Sequence, residues 1–376
     1  MAVKFVKYIN LICRSIHSKT TTNNPAQAEN GSCIYLDANN YDGTVSYYFE
    51  VVALNTSGSN ETTNLYKGTS IPSTIITSPA ITIQANTTSF EFFRSAAVTI
   101  DNNYKLKGVG ISATGSASDV QIKSARLVIV QSDASAITDT ETQIELGDYE
   151  ANYTWGDGAT SDQPLTYPKY WYYDSSKFDG TVTFEAHCTY FNNDNKAKCT
   201  VTIQLQKDDG SFSNWTDVTT IVNASSTAGF VFARQSTDFS ASMTSGRNYR
   251  LALTTTNYKY GDITIYNAKI VVKQTDASEL TKTETVLTLL NSDSATTGLQ
   301  DCDGYYDADE WDGVTVNIYP EHDASGSGSN TKLQEDTDGA PSDVSNSSIT
   351  GANRQRGATA LSITDNEDID TYIVTA

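Results

Sequence analysis

The chain has 376 residues, enough for two to four domains at roughly 100–200 residues each. Its 25 Lys+Arg stand against 45 Asp+Glu, a formal net charge of -20 that repels nucleic acid and anionic lipid, so neither is an expected partner. Only 38% of residues are hydrophobic, and no run approaches the roughly 18 apolar residues of a membrane-spanning helix. Thr, Ser and Asn fill the polar remainder beside 22 Tyr and 12 Phe, a strand-and-turn composition that predicts an all-β protein.

The first element in the chain is a short strand, Ala2-Val3-Lys4-Phe5-Val6-Lys7-Tyr8. Lys4, Lys7 and Arg14 break up the start, and the longest uncharged run there, Tyr8 to Cys13, is too short for a secretory signal. The expectation is therefore an extracellular protein whose signal has been removed or misannotated, or one that leaves its cell by another route, such as inside a virion.

A pattern then recurs three times. Tyr41-Asp42-Gly43 leads into the alternating run Thr44 to Phe49, Phe178-Asp179-Gly180 into Thr181 to Phe184, and Trp311-Asp312-Gly313 into Val314 to Ile318. The Asp residues lie 137 and 133 positions apart. In the first run Val45, Tyr47, Phe49 and Val51 share one face and Ser46, Tyr48 and Glu50 the other, the period of a half-buried strand.

Later landmarks agree in order. Arg94, Arg234 and Arg354 or Arg356 precede a late strand, and Tyr104, Tyr249 or Tyr372 opens another. The strands Ala125 to Gln131 and Ala268 to Gln274 close the first two units, and Thr140-Glu141-Thr142 and Thr283-Glu284-Thr285 follow at the same offset. These landmarks predict three tandem antiparallel β-sandwich, jelly-roll-like domains. The divisions are an N-terminal strand over 1–8 and repeats over 9–131, 132–274 and 275–376.

The third repeat reads as lacking its final strand, since only Ile373 to Ala376 follow Tyr372. Ala2 to Tyr8 matches the closing strand Ala268 to Gln274 at Ala, Val and Lys. The expectation is a homopolymer in which Val3, Phe5, Val6 and Tyr8 of one subunit fill an acceptor edge at Tyr372, Ile373 and Val374 of the next, head to tail. A truncated sequence, or a ragged third repeat that packs without the strand, accounts for the same pattern.

Together the lead-in Tyr170-Trp171-Tyr172-Tyr173-Asp174, Phe178-Asp179-Gly180, the recurrent Arg and the closing strands resemble tandem jelly-roll modules of prokaryotic surface filaments and phage structural proteins. The first repeat lacks the Pro-Lys-Tyr-Trp lead-in. The resemblance implies a structural role at a cell surface or in a virion, and brings no catalytic residue with it.

The residues themselves suggest little chemistry. His17, His187 and His322 sit in no nucleophile motif, and no phosphate loop is present, so no enzyme is expected. Cys188 and Cys199 flank a polar turn, as a cross-strand disulfide or two buried thiols would. Asp301, Asp303, Asp307 and Asp309 form an acidic stretch that offers calcium hard oxygen ligands, or is simply a solvated loop. Tyr170, Trp171 and Tyr173 are either a platform for surface glycans or ordinary core. A carbohydrate-binding, receptor-binding or capsid-decoration protein is the alternative to the filament or fibre.

Overall fold

The computed structural model describes residues 4–12, 17–18, 34–68, 74–77, 79–87, 91–100, 108–113, 120–132, 137–154, 163–164, 169–192, 200–211, 213–225, 229–256, 262–286 and 297–306, followed by shorter strand segments between 316 and 374. Among the described residues the only helical turns are three 3-10 turns, and every strand pairing is antiparallel. The all-β expectation holds. No described helix is long and apolar enough to cross a membrane.

The chain divides into two compact units: residues 1–12 with 16–286, and residues 13–15 with 287–376. The first unit contains two sandwiches of the same plan. In the first, an opening strand Lys4–Ile12 pairs with a closing strand Val120–Ser132, which pairs with the Asp-Gly strand Thr44–Asn55, which pairs with Glu91–Arg94. In the second, opening strand Asp139–Thr154 pairs with closing strand Asp262–Thr275, then Asp-Gly strand Thr181–Asn192, then Gly229–Gln235.

The registers coincide. Thr44 lies opposite Ser132 as Thr181 lies opposite Thr275. Glu50 faces Arg94 and Arg126 as His187 faces Arg234 and Lys269. The two sheets thus share one strand order and one register.

Each first sheet is backed by a second. In the second repeat that sheet runs from Gln163–Pro164 and Trp171–Tyr173 through Arg247–Thr256 and Thr200–Asp208 to Trp215–Ser225. Phe184, Ala186, Ile270 and Val272 of one sheet pack with Ile203, Leu205, Tyr249 and Leu251 of the other, as the two-residue period demands. The Asp-Gly turn needs its glycine: Gly43 and Gly180 have φ of 76° and 68°, and a Cβ on Gly180 would lie 2.7 Å from Thr275 O.

One strand face departs from its pattern. Glu50 falls on the expected solvent side of the Asp-Gly strand yet is 2% exposed, because Arg126 and Arg94 both reach it there. A charge can be buried when it is paired.

In the second unit, Glu367–Val374 pairs on one side with Thr297–Tyr306 and on the other with Asn330–Asp336, and Val316–Ile318 pairs with Thr359–Leu361. This corrects the expected acceptor edge. Tyr372, Ile373 and Val374 lie in an interior strand, with Leu299, Gly298 and Thr297 opposite them on one side and Lys332, Thr331 and Asn330 on the other.

The expected donor strand is corrected as well. Phe5, Val6 and Tyr8 are buried in their own chain, opposite Gln131, Val130 and Val128 of the closing strand. The strand occupies the place of an opening strand: Lys4 faces Ser132 as Asp139 faces Thr275. Its likeness to a closing strand reflects shared strand composition and does not fix its position. Val3 lies outside the described residues.

Candidate interface between repeats

The polar side chains that the fold brings together sit where one repeat meets the next. Ahead of each Asp-Gly strand is a 3-10 turn, Ala38–Asn40 or Ser175–Lys177, whose preceding Asp37 or Asp174 accepts a bond from the backbone of Asn39 or Ser176. Bonds from Ser176 hold the Asp174 carboxyl below its usual range.

The Asp of each Asp-Gly turn then grips the segment that leaves its repeat. Asp42 accepts from Thr138 N at 3.0 Å and from the Thr138 hydroxyl; Asp179 accepts from Thr281 N at 2.8 Å and its hydroxyl at 2.7 Å. Gln131 Nε2 bridges Asp42 O at 3.1 Å and Asp139 O at 2.8 Å, and Gln274 Nε2 bridges Asp179 O and Lys282 O at the same two distances.

The 3-10 turn adds a second grip. Asn40 donates to a Glu141 carboxylate oxygen, and Lys177 to Glu284 Oε1, while Trp171 Nε1 donates to the other Glu284 oxygen at 3.2 Å. Ile137 and Leu280, one residue before each gripped Thr, are fully buried together with Phe5. Each turn therefore binds one peptide pattern, an aliphatic residue followed by Thr-x-Thr-Glu.

A buried charged cluster lies beside the first joint. Tyr35 meets the His187 ring edge-on with centroids 5.3 Å apart, Arg234 stacks over Tyr35 at 4.1 Å, and Arg234 and Lys273 each lie 2.6 Å from Glu185. Burial pushes the Glu185 carboxyl up, but bonds from Lys273 and Arg234, with the His187 ring 3.6 Å away, outweigh that and hold it at about 2. Burial lowers His187 to about 4, against the pull of Glu185. Glu141 is raised by burial, against bonds from Gln143 and Asn40. Perturbed groups of this kind mark either active sites or structural ion networks. Here they join two repeats.

The remaining expected sites fare unevenly. Trp171 and Tyr173 are 4% and 8% exposed and pack with Phe184 and Tyr249, which corrects the glycan platform: alternate residues of a strand point inward, and these two do. Tyr170 is half-buried outside that core, its ring 5.5 Å from Trp215, which carries Arg250 at 4.0 Å.

Cys188 is a free, fully buried thiol in the second core, its pKa pushed up by burial, which corrects the disulfide in favour of the buried-thiol alternative. Cys199 lies outside the described residues, as do Asp307 and Asp309, while Asp301 and Asp303 are placed on strand Thr297–Tyr306. Among the described residues no three His, Cys, Asp or Glu side chains gather as metal ligands would. Sequence reasoning missed the repeat joint itself, although its signal, Thr-Glu-Thr at a fixed offset after each closing strand, was visible.

No family model matches the chain, and neither does any curated protein. Among solved structures it is similar to infectious bursal disease virus, Gx strain, at 11% identity over 73% of this chain and 72% of that one, with a TM-score of 0.27. It is similar also to dimeric latent PorU from Porphyromonas gingivalis at 10% identity over 86% and 33%, TM-score 0.27. A third likeness, to the STIV MCP, has 10% identity over 72% and 95%, TM-score 0.18. At TM-scores this low the likenesses carry no argument about what this chain does.

Proposed function

We propose that the protein is a structural subunit, a string of β-sandwich repeats that builds a virion or a cell-surface filament and catalyses nothing. The observation that supports it is the joint formed twice in register, Asp42 with Thr138 and Asp179 with Thr281, which fixes the order of repeats through the same backbone and hydroxyl hydrogen bonds. Two strongly perturbed groups contact the neighbouring repeat: Lys7 reaches Thr142, and His187 meets Tyr35. The setting follows the resemblance of the repeats to surface and phage modules. Donation of the N-terminal strand forms no part of this reading, since that strand is paired in its own chain.

Sedimentation of the full chain over a wide concentration range, with negative-stain microscopy of the concentrated sample, tests the proposal. Ordered assemblies of one subunit are expected. A monomer at every concentration would overturn self-association, and turnover of any substrate by the purified chain would overturn the structural role. A second reading, glycan recognition, rests on the half-buried pair Tyr170 and Trp215. Glycan binding that Trp215→Ala abolishes without unfolding the protein would favour it.

A further inference from the structure

The opening strands of the two repeats and the segment 281–286 that follows them meet around a single lysine. Lys7 lies opposite Ile129 in the first repeat as Thr142 lies opposite Val272 in the second, so a lysine occupies a place that threonine holds elsewhere. Its side chain is 1% exposed. Nζ donates to Thr142 Oγ1 at 2.7 Å, to Glu284 O at 2.8 Å and to the Thr283 hydroxyl, three acceptors for three hydrogens, none of them charged.

The facing groups can be named element by element. On its own strand the Phe5 ring lies 5.8 Å from Nζ. The second opening strand contributes the Thr142 hydroxyl, itself bonded to Glu284 O. The third opening segment contributes Thr283 and the Glu284 carboxylate, whose oxygens are already held by Lys177 and Trp171. Further along, Asn10 connects to Glu145 through its amide and to Lys269 through its carbonyl. An ammonium in this place has no carboxylate of its own. A neutral amine fits without a buried charge: it donates to Thr142 and Glu284 O and accepts from the Thr283 hydroxyl.

The strand that carries Lys7 buries Val6, Ile9 and Leu11 but is laddered on one side. Among the described residues its backbone pairs with the closing strand Val120–Ser132, and its far side is held by side-chain bonds such as Thr285 Oγ1 to Val6 O and Lys269 Nζ to Asn10 O. We propose that Lys7 is a pH-operated latch that seats the N-terminal strand Lys4–Ile12 firmly in alkaline medium and loosens it toward neutrality and below. Detachment bares one edge of Val120–Ser132, and an unpaired edge is open to another chain.

The sign follows from where the lysine titrates. Burial lowers the seated amine to about 7, against the pull of Glu284, while a released lysine returns to its ordinary value of 10.5. Between those values the seated form binds fewer protons, so alkalinity favours it. The release constant therefore falls about tenfold for each step of one in pH above about pH 7, and levels off below it.

Hydrogen exchange of the full chain reads this directly, with each peptide's rate divided by its unfolded rate at the same pH. Protection of Lys4–Ile12 is expected to rise close to tenfold for each such step from about pH 7 to about pH 9, beyond any change in the reference strand Thr181–Asn192. In Lys7→Met, whose side chain does not titrate, the same peptide should show no such slope. A flat profile in the wild-type chain overturns the latch even if the variant does not fold, and so does a slope that survives in Lys7→Met or one shared equally by the reference strand.

Discussion

Lys177 Nζ lies 2.5 Å from Glu284 Oε1, and the two residues stand 137 and 143 positions after Asn40 and Glu141, which make the corresponding contact one repeat earlier. The same joint is thus ionic at one junction and a neutral-to-charged hydrogen bond at the other. Its side chains are 24% and 11% exposed, so screening limits the gain. Lys177→Glu should destabilise the first unit by about 1–2 kcal/mol, and pairing it with Glu284→Lys should recover part of that loss. Lys177→Asn, which copies the first joint, should cost less than either single reversal. A double-mutant cycle by urea unfolding measures the coupling, and a coupling of zero would remove this pair from the joint.

The Asp-Gly turns make a stronger demand. Asp42→Ala strands Thr138 N, the Thr138 hydroxyl and Asp139 N, and Asp179→Ala strands the two Thr281 donors. Asp42→Ala should cost about 2–4 kcal/mol, since hydrogen bonds to a charged acceptor are the stronger kind and its partners are part-buried. Asp179→Ala should cost less, about 1 kcal/mol, because water can replace the exposed bonds to Thr281. If Asp179→Ala were silent while Asp42→Ala unfolded the chain, the two joints would not be equivalent.

Much of this architecture was legible in the residues, and what was not has a physical reason. Asp42 and Asp179 set the register because an Asp-Gly turn requires positive φ and fixes where a strand begins. The aromatic run left platform and core both open because Trp171 and Tyr173 share a face that Tyr170 and Tyr172 do not, so a cluster in sequence is split across the strand. The N-terminal strand was misplaced because valine and lysine in alternation specify a strand and leave its neighbour open. The joint went unrecognised because Thr138, Thr281 and their glutamates are common surface residues, and only the fold brings Asp42 and Asp179 to them.

Two corrected sites lead to one prediction about the second core. Trp171→Ala should lower stability by about 3–5 kcal/mol through loss of its packing, and any lost binding should track unfolding. Cys188, free and buried, should resist alkylation in the native protein and react on denaturation. Rapid native labelling of Cys188, monitored by peptide mass, would show that this core is open.

Acid should undo the cluster beside the first joint in two stages. His187 titrates at about 4 in the fold against an ordinary 6.5, so the unfolded chain binds the extra proton in between, and stability falls as the pH drops from 6.5 to about 4. That stage amounts to roughly 3 kcal/mol, since a tenfold change in proton affinity is worth about 1.4 kcal/mol. Glu185, held at about 2 against 4.5, is ionised in both states at neutral pH, and its contribution is lost as the pH falls from 4.5 toward 2. Thermal unfolding at closely spaced pH values should therefore show a decline between pH 6.5 and about 4 that starts above the range of any ordinary carboxylate. His187→Phe preserves a ring between Tyr35 and Phe232 and should delete the upper stage while leaving the lower one. A variant that kept the decline between pH 6.5 and 4.5 would assign it to another group.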